Sequence, residues 1–229
     1  LLGGDVTGLS VRGAQSVRST TAGRVSRSSA SLVAGANGIA LSPRSGQFYV
    51  TSRFENAIVA FRPVIGPEGE LAGVFETAQV PINSAPPLQG LDSRGIAFNG
   101  AGTMAYVANR GPSSLLFLDT GPTDVETGGG TVNEIVDLLL MPTDPAEIAV
   151  VDFGDRELLY ISSFTDETLT IVDPDARVIV GTIDLFAEPY DLVVDQVRHQ
   201  RLYVSLFGSD AIAVMDIDPD SPSFNQTIA

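Results

Sequence analysis

The chain repeats one phrase four times, and this repetition limits the possible fold more than any other feature. The four copies occupy residues 38–61, 95–119, 147–173 and 191–216. Each copy contains a short apolar run, a polar turn, a triplet with Tyr between two apolar residues, a second turn and a third apolar run. A repeat of this length predicts one supersecondary unit that is stacked several times along the chain.

The tyrosines of the triplets give the period. Tyr49, Tyr106, Tyr160 and Tyr203 are separated by 57, 54 and 43 residues. The shortest interval matches the ~40–45 residues of a four-stranded propeller blade. The longer intervals require loop insertions, which we place in the Pro-, Gly- and Thr-rich stretches at 62–70 with 81–91 and at 121–131.

Within each repeat the apolar runs are short and β-branched, which is typical of strands. In the third copy they cover 147–151, 158–162 and 168–172, and a fourth run lies between copies, at 71–80, 131–138 and 177–185. No window of ten or more residues shows convincing helical periodicity. The stretch 132–141 comes nearest, and its position in the repeat predicts a strand. Several short strands also fit a β-sandwich, but a fixed four-strand repeat favours the radial arrangement of a β-propeller.

The triplets and their flanks carry a family resemblance. The segments YVTS (49–52), YVAN (106–109), YISS (160–163) and YVSL (203–206) resemble the repeat of the YVTN-type β-propeller family, and the lead-ins at 144–148 and 188–192 are similar to that of the family. The resemblance covers residues 35–229. It implies an all-β propeller of four-stranded antiparallel blades, with about four blades in this span and a ring of about seven. It also implies a bacterial protein that is secreted, periplasmic or on the cell surface, and some members of the family resemble lactonases.

The expected domain organisation follows from the same repeat. We expect residues 1–34 to be an irregular segment or the remnant of a preceding blade, and residues 35–229 to form the blades. The stretch 223–229 reads as the opening strand of a fifth unit, so the sequence is expected to be a piece of a longer chain. In the alternative, a closed four-bladed ring, the last strand would complete the first blade.

Charge and cysteine content exclude several classes of function. The formal net charge is −15, from 28 acidic and 13 basic residues, and every basic residue is Arg. Nucleic-acid binding requires a basic surface, so an acidic chain of this kind is not expected to bind nucleic acid. The absence of cysteine excludes disulfides and thiolate metal sites. No apolar run approaches the ~18 residues of a transmembrane segment. An extracytoplasmic location therefore rests on the family resemblance alone.

Motifs of catalysis are scarce. The single histidine, His199, falls in a predicted turn beside two arginines and is read as an exposed turn residue. One histidine cannot build a multi-His zinc or copper centre within this span. Residues 100–105 match the G-x-G-x-x-A dinucleotide pattern, but a strand follows them where that motif requires a helix. We therefore predict a hairpin turn there.

One acidic turn is a candidate calcium site. Asp216, Asp218 and Asp220 place three carboxylates at alternate positions, as in loops that bind hard cations. The turn departs from the EF-hand loop, because Ser221 stands where that loop has Gly and no Glu closes it. A solvated acidic turn that binds no metal is the alternative, and we expect no other cofactor.

Aligning the repeats on their tyrosines identifies candidate site residues. Before the first strand of each repeat, Arg94 and Tyr190 fall at one step, and Glu147 and Asp191 fall at the next. Equivalent turns of a propeller converge around one end of its channel, so these side chains could serve as anion clamp, acid or base, and orienting group for a lactone or sugar acid. Polar residues that only cap strands are the alternative.

A second equivalent position lies four residues after each tyrosine. Arg53 and Arg110 occupy it in the first two repeats, and Phe164 and Phe207 occupy it in the last two.

These observations favour a non-catalytic, extracytoplasmic β-propeller scaffold that presents a loop face to a protein or carbohydrate partner. Neighbouring blades or a second subunit are also expected to contact it. A lactonase-like hydrolase with a carboxylate at the channel mouth is the first alternative. A redox-associated propeller, with cofactor ligands outside this span, is the second. Propeller scaffolds support many unrelated activities, so the fold alone does not decide between these functions.

Overall fold

A computed structural model describes residues 33–82, 91–126, 128–195, 197 and 200–229, together with the backbone of two strands near the start of the chain. Every regular element in these residues is a β-strand. The described residues include no helix with the length and apolar character needed to cross a membrane. The first two strands, β1 (Gln15–Thr21) and β2 (Arg24–Ala30), pair as an antiparallel hairpin. The predicted boundary at residue 34 stays a prediction. His199 and residues 83–90 lie outside the described residues.

The remaining strands form four sheets, which we number as blades 1 to 4 in chain order. Blade 1 contains β3 (Ala36–Leu41), β4 (Phe48–Ser52), β5 (Ala57–Ile65) and β6 (Leu71–Pro81). Blade 2 contains β7 (Leu91–Phe98), β8 (Met104–Gly111), β9 (Ser113–Asp119) and β10 (Glu134–Leu140). Blade 3 contains β11 (Pro145–Asp152), β12 (Glu157–Ser163), β13 (Thr168–Asp173) and β14 (Val178–Asp184). Blade 4 contains β15 (Glu188–Asp195), β16 (Arg201–Phe207), β17 (Ala211–Asp216) and β18 (Gln226–Thr227).

Each blade is an antiparallel meander in which sequential strands pair side by side. The first strands of successive blades contact one another, β3 with β7, β7 with β11 and β11 with β15. Three apolar clusters fill the spaces between neighbouring blades. First strands at the centre and sheets packed face to face are the arrangement of a β-propeller. The predicted fold, with about four blades in this span, is confirmed.

The end of the chain differs from the prediction. Gln226 and Thr227 pair with Asp216 and Met215 of β17, so they form the fourth strand of blade 4. The chain reverses at Asn225, whose φ is 61°, and the amide of Ile228 donates to the carbonyl of Val214. The prediction that 223–229 opens a fifth unit is therefore wrong. A long acidic turn separates this stretch in sequence from β17, the strand with which it pairs.

One predicted insertion takes a different form. Strand β5 runs as far as Ile65 and β6 starts at Leu71, so the turn covers only residues 66–70. The extra residues of 62–70 therefore lengthen a hairpin more than they form a loop. The second insertion, 121–131, is a loop between β9 and β10, as predicted. The turn predicted at 100–105 is also confirmed, because it joins β7 to β8.

The four tyrosines occupy equivalent positions, as predicted. Each lies in the second strand of its blade, with partners in the first and third strands: Tyr49 faces Ala40 and Ala60, Tyr106 faces Ala97 and Phe117, Tyr160 faces Ala149 and Ile171, and Tyr203 faces Val193 and Val214. Tyr49, Tyr106 and Tyr160 are buried, whereas Tyr203, on the outward face of blade 4, is partly exposed. Tyr49, Tyr106 and Tyr160 each pack in the apolar cluster between their own blade and the following one.

Two of these tyrosines bridge neighbouring blades by hydrogen bonds. The hydroxyl of Tyr49 donates to Oδ1 of Asn133 in blade 2, and the hydroxyl of Tyr160 donates to Oδ1 of Asn225 in blade 4, each over 2.6 Å. Both asparagines immediately precede the fourth strand of their blade and have a positive φ, a conformation that Asn tolerates. Burial raises the pKa of both tyrosines, so their hydroxyls remain donors.

The middle interface uses a different contact at the same position. Arg177, which precedes β14 and also has a positive φ, lies with its guanidinium carbon 5.3 Å from the ring centre of Phe117 in blade 2. It also pairs with Asp137 of blade 2 over 2.5 Å. The residue that precedes the fourth strand of a blade, which is its outer strand, therefore joins consecutive blades at all three described interfaces.

Candidate binding site at one end of the propeller

The first strand of every blade carries a β-bulge at the end of the propeller where that strand begins, which we call the upper end. The register shifts between Ala36 and Ile39, Ser93 and Ile96, Pro145 and Ile148, and Pro189 and Leu192. The candidate residues Arg94, Glu147, Tyr190 and Asp191 all lie in these bulges. The sequence analysis had expected these residues before the first strand. In the structure they lie inside it. A bulge redirects side chains out of the sheet, which is why bulges occur next to binding sites.

A hydroxyl from the second strand holds the bulge in three blades. The amides of Gly38, Glu147 and Asp191 donate to the hydroxyls of Thr51, Ser162 and Ser205, over 2.8, 3.0 and 3.0 Å. These hydroxyls all come two residues after the repeat tyrosine. The third residue of the YVTN-like motif therefore positions the backbone from which the candidate side chains project.

Glycines allow the bulges of neighbouring blades to approach closely. A Cβ atom on Gly38 would lie 2.3 Å from the carbonyl oxygen of Arg94. A Cβ atom on Gly95 would lie 2.7 Å from both the carbonyl oxygen of Ala146 and Oε2 of Glu147. The carboxylate of Glu147 thus lies over the backbone of blade 2, in space that any larger residue at position 95 would fill.

Glu147 has the most perturbed carboxyl group of the candidate residues. Burial is the largest cause, and together with the negative charge of Asp191, and against the positive charge of Arg94, it raises the pKa of Glu147 to about 7. A carboxyl group in this range changes protonation near neutral pH and can both donate and accept a proton. The structure therefore brings Arg94 and Asp191 within electrostatic range of Glu147.

Paired arginines and aspartates lie at the upper end of blades 1 to 3. Arg94 forms a two-point ion pair with Asp92, with N–O distances of 2.6 and 2.9 Å. Arg53 lies 3.6 Å from the same carboxylate, and Arg110 lies 4.0 Å from Asp144. The guanidinium of Arg94 is therefore already neutralised by Asp92, which weakens its predicted role as an anion clamp.

Exposed aromatic side chains are concentrated at the same end. Phe164, Phe207 and Tyr190 form a row across blades 3 and 4, with ring centres 5.7 and 6.1 Å apart. We call these three the aromatic row. Phe207 and Tyr190 are each 60% exposed. Phe54 and Phe186, in connections at the upper end of blades 1 and 3, are 69% and 86% exposed.

The sequence analysis singled out some of these residues and missed others. It aligned Phe164 and Phe207 at one step of the repeat but assigned them no role. It did not identify Asp92 or Asp144, the acidic partners of the arginines, or the exposed rings of Phe54 and Phe186. A signal was present for Phe54, because it falls in the turn predicted after the first tyrosine triplet, where a large apolar side chain has no core to enter.

The candidate calcium turn is built around internal hydrogen bonds. One oxygen of Asp216 accepts from the hydroxyls of Ser221 and Ser223, and the other accepts from Arg201 and the amide of Asp218. The two serine hydroxyls are the main reason that the pKa of Asp216 falls to about 2. Within the described ranges, the structure brings no three acidic, His or Cys side chains together in a group that could hold a metal ion.

Comparisons with known proteins support the fold and leave the family open. No sequence model of a known protein family matches the chain, and no curated protein matches it in sequence. The structure is similar to the periplasmic gluconolactonase of Pseudomonas aeruginosa, with a TM-score of 0.61 and 16% identity over 85% of this chain and 53% of that one. A functionally unknown protein from Desulfotomaculum acetoxidans gives a TM-score of 0.60 and 19% identity over 85% of this chain and 57% of that one.

The similarity extends to proteins with unrelated names. Hydrazine synthase from Kuenenia stuttgartiensis gives a TM-score of 0.58 and 15% identity, over 85% of this chain and 49% of that one. The chain thus spans about half the length of these solved structures. At such low identity the similarity establishes the propeller fold alone. Membership of the YVTN-type family stays a prediction.

The raised pKa of Glu147 leads to a prediction about stability. The unfolded state loses this proton near pH 4.5, whereas the folded state keeps it until about pH 7. Between these values the folded state binds more protons, so the contribution of Glu147 to stability is complete below pH 4.5 and is lost as the pH rises through 7. The Glu147→Gln variant should lack this loss.

Urea unfolding at a series of pH values from 4 to 8 gives the free energy of unfolding of the wild type and of Glu147→Gln. The effect is the difference between these two pH profiles. The exposed Glu68 offers a matched control, since Glu68→Gln removes the same charge without this environment. We expect the profile of Glu68→Gln to follow the wild type. Identical slopes for wild type and Glu147→Gln would show that Glu147 titrates normally.

Proposed function

We propose that the chain is a non-catalytic, extracytoplasmic binding propeller whose upper end binds a carbohydrate. The observation that carries the proposal is the aromatic row on blades 3 and 4, which lies at the same end of the propeller as the carboxyl groups of Glu147 and Asp191. Sugars combine apolar C–H faces with hydroxyls, so they require flat apolar surfaces next to hydrogen-bonding groups. The row supplies the surfaces, and the bulges supply the groups.

The distribution of exposed rings supports a binding role. Of the five aromatic side chains most exposed in the described residues, four lie at the upper end and one, Phe75, lies on the outer strand of blade 1. Exposed apolar groups that are gathered in one place indicate an interaction surface, whereas scattered ones do not. The rings are interleaved with charged side chains, which favours a ligand with many hydroxyls over a continuous apolar protein interface.

The proposed extracytoplasmic location is supported by two similarities to other proteins. The repeat motif resembles that of secreted and periplasmic proteins, and the name of the Pseudomonas aeruginosa relative in structure places that protein in the periplasm. A periplasmic or cell-surface location would bring the upper end into contact with extracellular sugars.

Contact with further sheet or with a second subunit also remains a proposal. Ile39 and Leu41 on the outward face of blade 1 are 67% and 63% exposed, and Val193 and Ile212 on the outward face of blade 4 are 61% and 62% exposed. In the three described interfaces, the equivalent positions pack against a neighbouring blade. Apolar sheet faces of this kind usually acquire a partner.

Carbohydrate binding leads to a second prediction. A set of neutral and acidic oligosaccharides is screened on an array, and the best ligand is measured by isothermal titration calorimetry. Phe207→Ala removes the central ring of the aromatic row, and we expect it to weaken binding about tenfold, or about 1.4 kcal/mol. Phe75→Ala, which removes an exposed ring far from the upper end, should bind like the wild type.

The outcomes separate the possible partners. Binding that is weakened by Phe207→Ala and not by Phe75→Ala supports the proposal. Binding that is unchanged in Phe207→Ala places the sugar elsewhere and contradicts it. If no oligosaccharide binds, the carbohydrate proposal fails, and a protein partner becomes the better explanation of the exposed rings.

A lactonase-like hydrolase is the second candidate, and the pKa of Glu147 is the observation that favours it. A carboxyl group with a pKa near 7 suits general acid–base catalysis at neutral pH. Asp191 and Arg94 are close enough to influence it. Hydrolysis of a sugar lactone by the wild type, and its loss in Glu147→Gln, would favour the hydrolase over the non-catalytic scaffold.

A further inference from the structure

A second polar site lies at the lower end of the propeller, between blades 1 and 2. It is an open cleft of about 510 Å³ between the turn that joins β3 to β4 and the loop that joins β9 to β10. Its volume is in the range of sites for small ligands. The aromatic row and Glu147 are at the opposite end, so this cleft is separate from the site already described.

The lining of the cleft is basic in an acidic chain. Two arginines, Arg44 and Arg62, line it together with hydroxyl and amide side chains, namely Ser45, Gln47, Thr77, Thr131 and Asn133. None of its described lining residues is acidic, although the chain has 28 acidic residues against 13 basic ones. A concentration of positive charge in a cleft attracts anions. Because the chain as a whole is acidic, the positive charge of this cleft is a local exception.

Neutral partners hold Arg44 in place. One terminal nitrogen, Nη2, donates to the carbonyl oxygens of Thr120 and Gly130 over 2.7 and 3.2 Å, and to the hydroxyl of Thr131 over 3.1 Å. Because carbonyls and a hydroxyl carry no net charge, the positive charge of Arg44 is oriented but not neutralised. Its Nε is buried and has no hydrogen-bond partner in the described part of the chain.

Arg62 supplies a second positive charge, on an exposed side chain. It lies on the exposed face of β5 and forms no ion pair with a described carboxylate, whereas five other arginines of the described chain do. A hydrogen-bonded arginine and an exposed one on the same cleft can approach an oxyanion from two sides. Charge-assisted hydrogen bonds of this kind are roughly twice as strong as neutral ones.

We propose that this cleft binds a small oxyanion ligand, either inorganic phosphate or sulfate or the phosphate group of a sugar-sized molecule. The arginines bind the anionic oxygens. The hydroxyls and amides around them suit the hydroxyl groups of an attached sugar. Aromatic side chains are absent from the described lining, which separates this chemistry from that of the aromatic row.

The test compares Arg62→Ala with Arg156→Ala by calorimetric titration of inorganic phosphate, and then of glucose 1-phosphate, at low ionic strength. Arg156 is an exposed arginine in a turn at the lower end of blade 3, so its variant makes the same charge change away from the cleft. We expect saturable binding to the wild type, at least tenfold weaker binding to Arg62→Ala, and unchanged binding to Arg156→Ala. Arg62 is exposed and forms no ion pair within the described residues, so its loss should leave the fold intact.

Two results would overturn the proposal. Absence of saturable phosphate binding to the wild type is one. Equal weakening in both variants is the other, because it would reflect net charge and ion screening instead of a site. Tighter binding of glucose 1-phosphate than of phosphate would identify a sugar phosphate as the ligand class, and equal binding would identify the free oxyanion.

Discussion

Replacing Tyr160 by alanine is expected to lower the free energy of unfolding by about 3–5 kcal/mol, as for other large buried aromatic residues. Its side chain is fully buried in the apolar cluster between blades 3 and 4. Its hydroxyl also donates to Asn225, the residue at which the chain turns into the outer strand of blade 4. The change therefore removes both the packing and the hydrogen bond that join the two blades.

Tyr203 is the natural control, because it occupies the same position of the repeat in blade 4 but is only partly buried, on that blade's outward face. Tyr203→Ala should cost no more than about 1 kcal/mol, in the range of partly exposed substitutions. Tyr160→Phe should cost about 1 kcal/mol, because it removes only the hydrogen bond. Urea unfolding measures all three variants, and equal losses for Tyr160→Ala and Tyr203→Ala would contradict the stacking of blades described above.

Replacing Gly38 by alanine is expected to cost about 1–3 kcal/mol, the usual penalty for inserting atoms into a closely packed place. The new Cβ would lie 2.3 Å from the carbonyl oxygen of Arg94 and 2.9 Å from Oγ1 of Thr51. The first contact is with backbone, which cannot rotate away as a side chain can. Blades 1 and 2 would have to separate at the upper end.

Gly100→Ala is the matched control for this prediction. Gly100 lies in an exposed turn at the lower end, where the nearest atom to a new Cβ is 3.4 Å away. Its variant should stay within about 0.5 kcal/mol of the wild type, as surface substitutions usually do. A neutral effect of Gly38→Ala in thermal or urea unfolding would show that the first strands do not approach as closely as described.

The repeat made the fold predictable because the same packing requirements recur in each of the four blades. The tyrosine must be large to fill the space between blades, and the residue two positions later holds the bulge of the first strand in three blades by its hydroxyl. Ala108 occupies that position in blade 2, where no hydroxyl is available. A single copy would have been ambiguous, whereas four copies in register indicated a radial stack of sheets.

The outer strands were harder to predict, since they are the least buried part of each blade. Gln226 and Thr227 are both exposed. Nothing in their composition distinguishes the last strand of one unit from the first strand of the next. Their pairing depends on the turn at Asn225, whose amide donates to the carbonyl of Asp216. That contact joins residues across an acidic turn that was read as a candidate metal loop.

Alignment of the repeats located the candidate site but not its charge state. It placed Arg94 and Tyr190 at one step and Glu147 and Asp191 at the next, and the structure brings Arg94 and Asp191 within electrostatic range of Glu147. It did not reveal that Asp92 neutralises Arg94, because the two residues are near neighbours in sequence whose side chains meet only after the bulge turns them. The exposure of aromatic rings is likewise a property of the folded chain.

The most direct test of the binding function is an NMR titration that shows which rings contact the carbohydrate. The protein is labelled on Phe and Tyr, and the best oligosaccharide from the array is added in steps. We predict that the signals of Phe164, Phe207 and Tyr190 shift together with a single dissociation constant, while the signal of Phe75 remains in place. Shifts confined to rings outside the upper end, or saturable binding that leaves the aromatic row unperturbed, would contradict the proposed site.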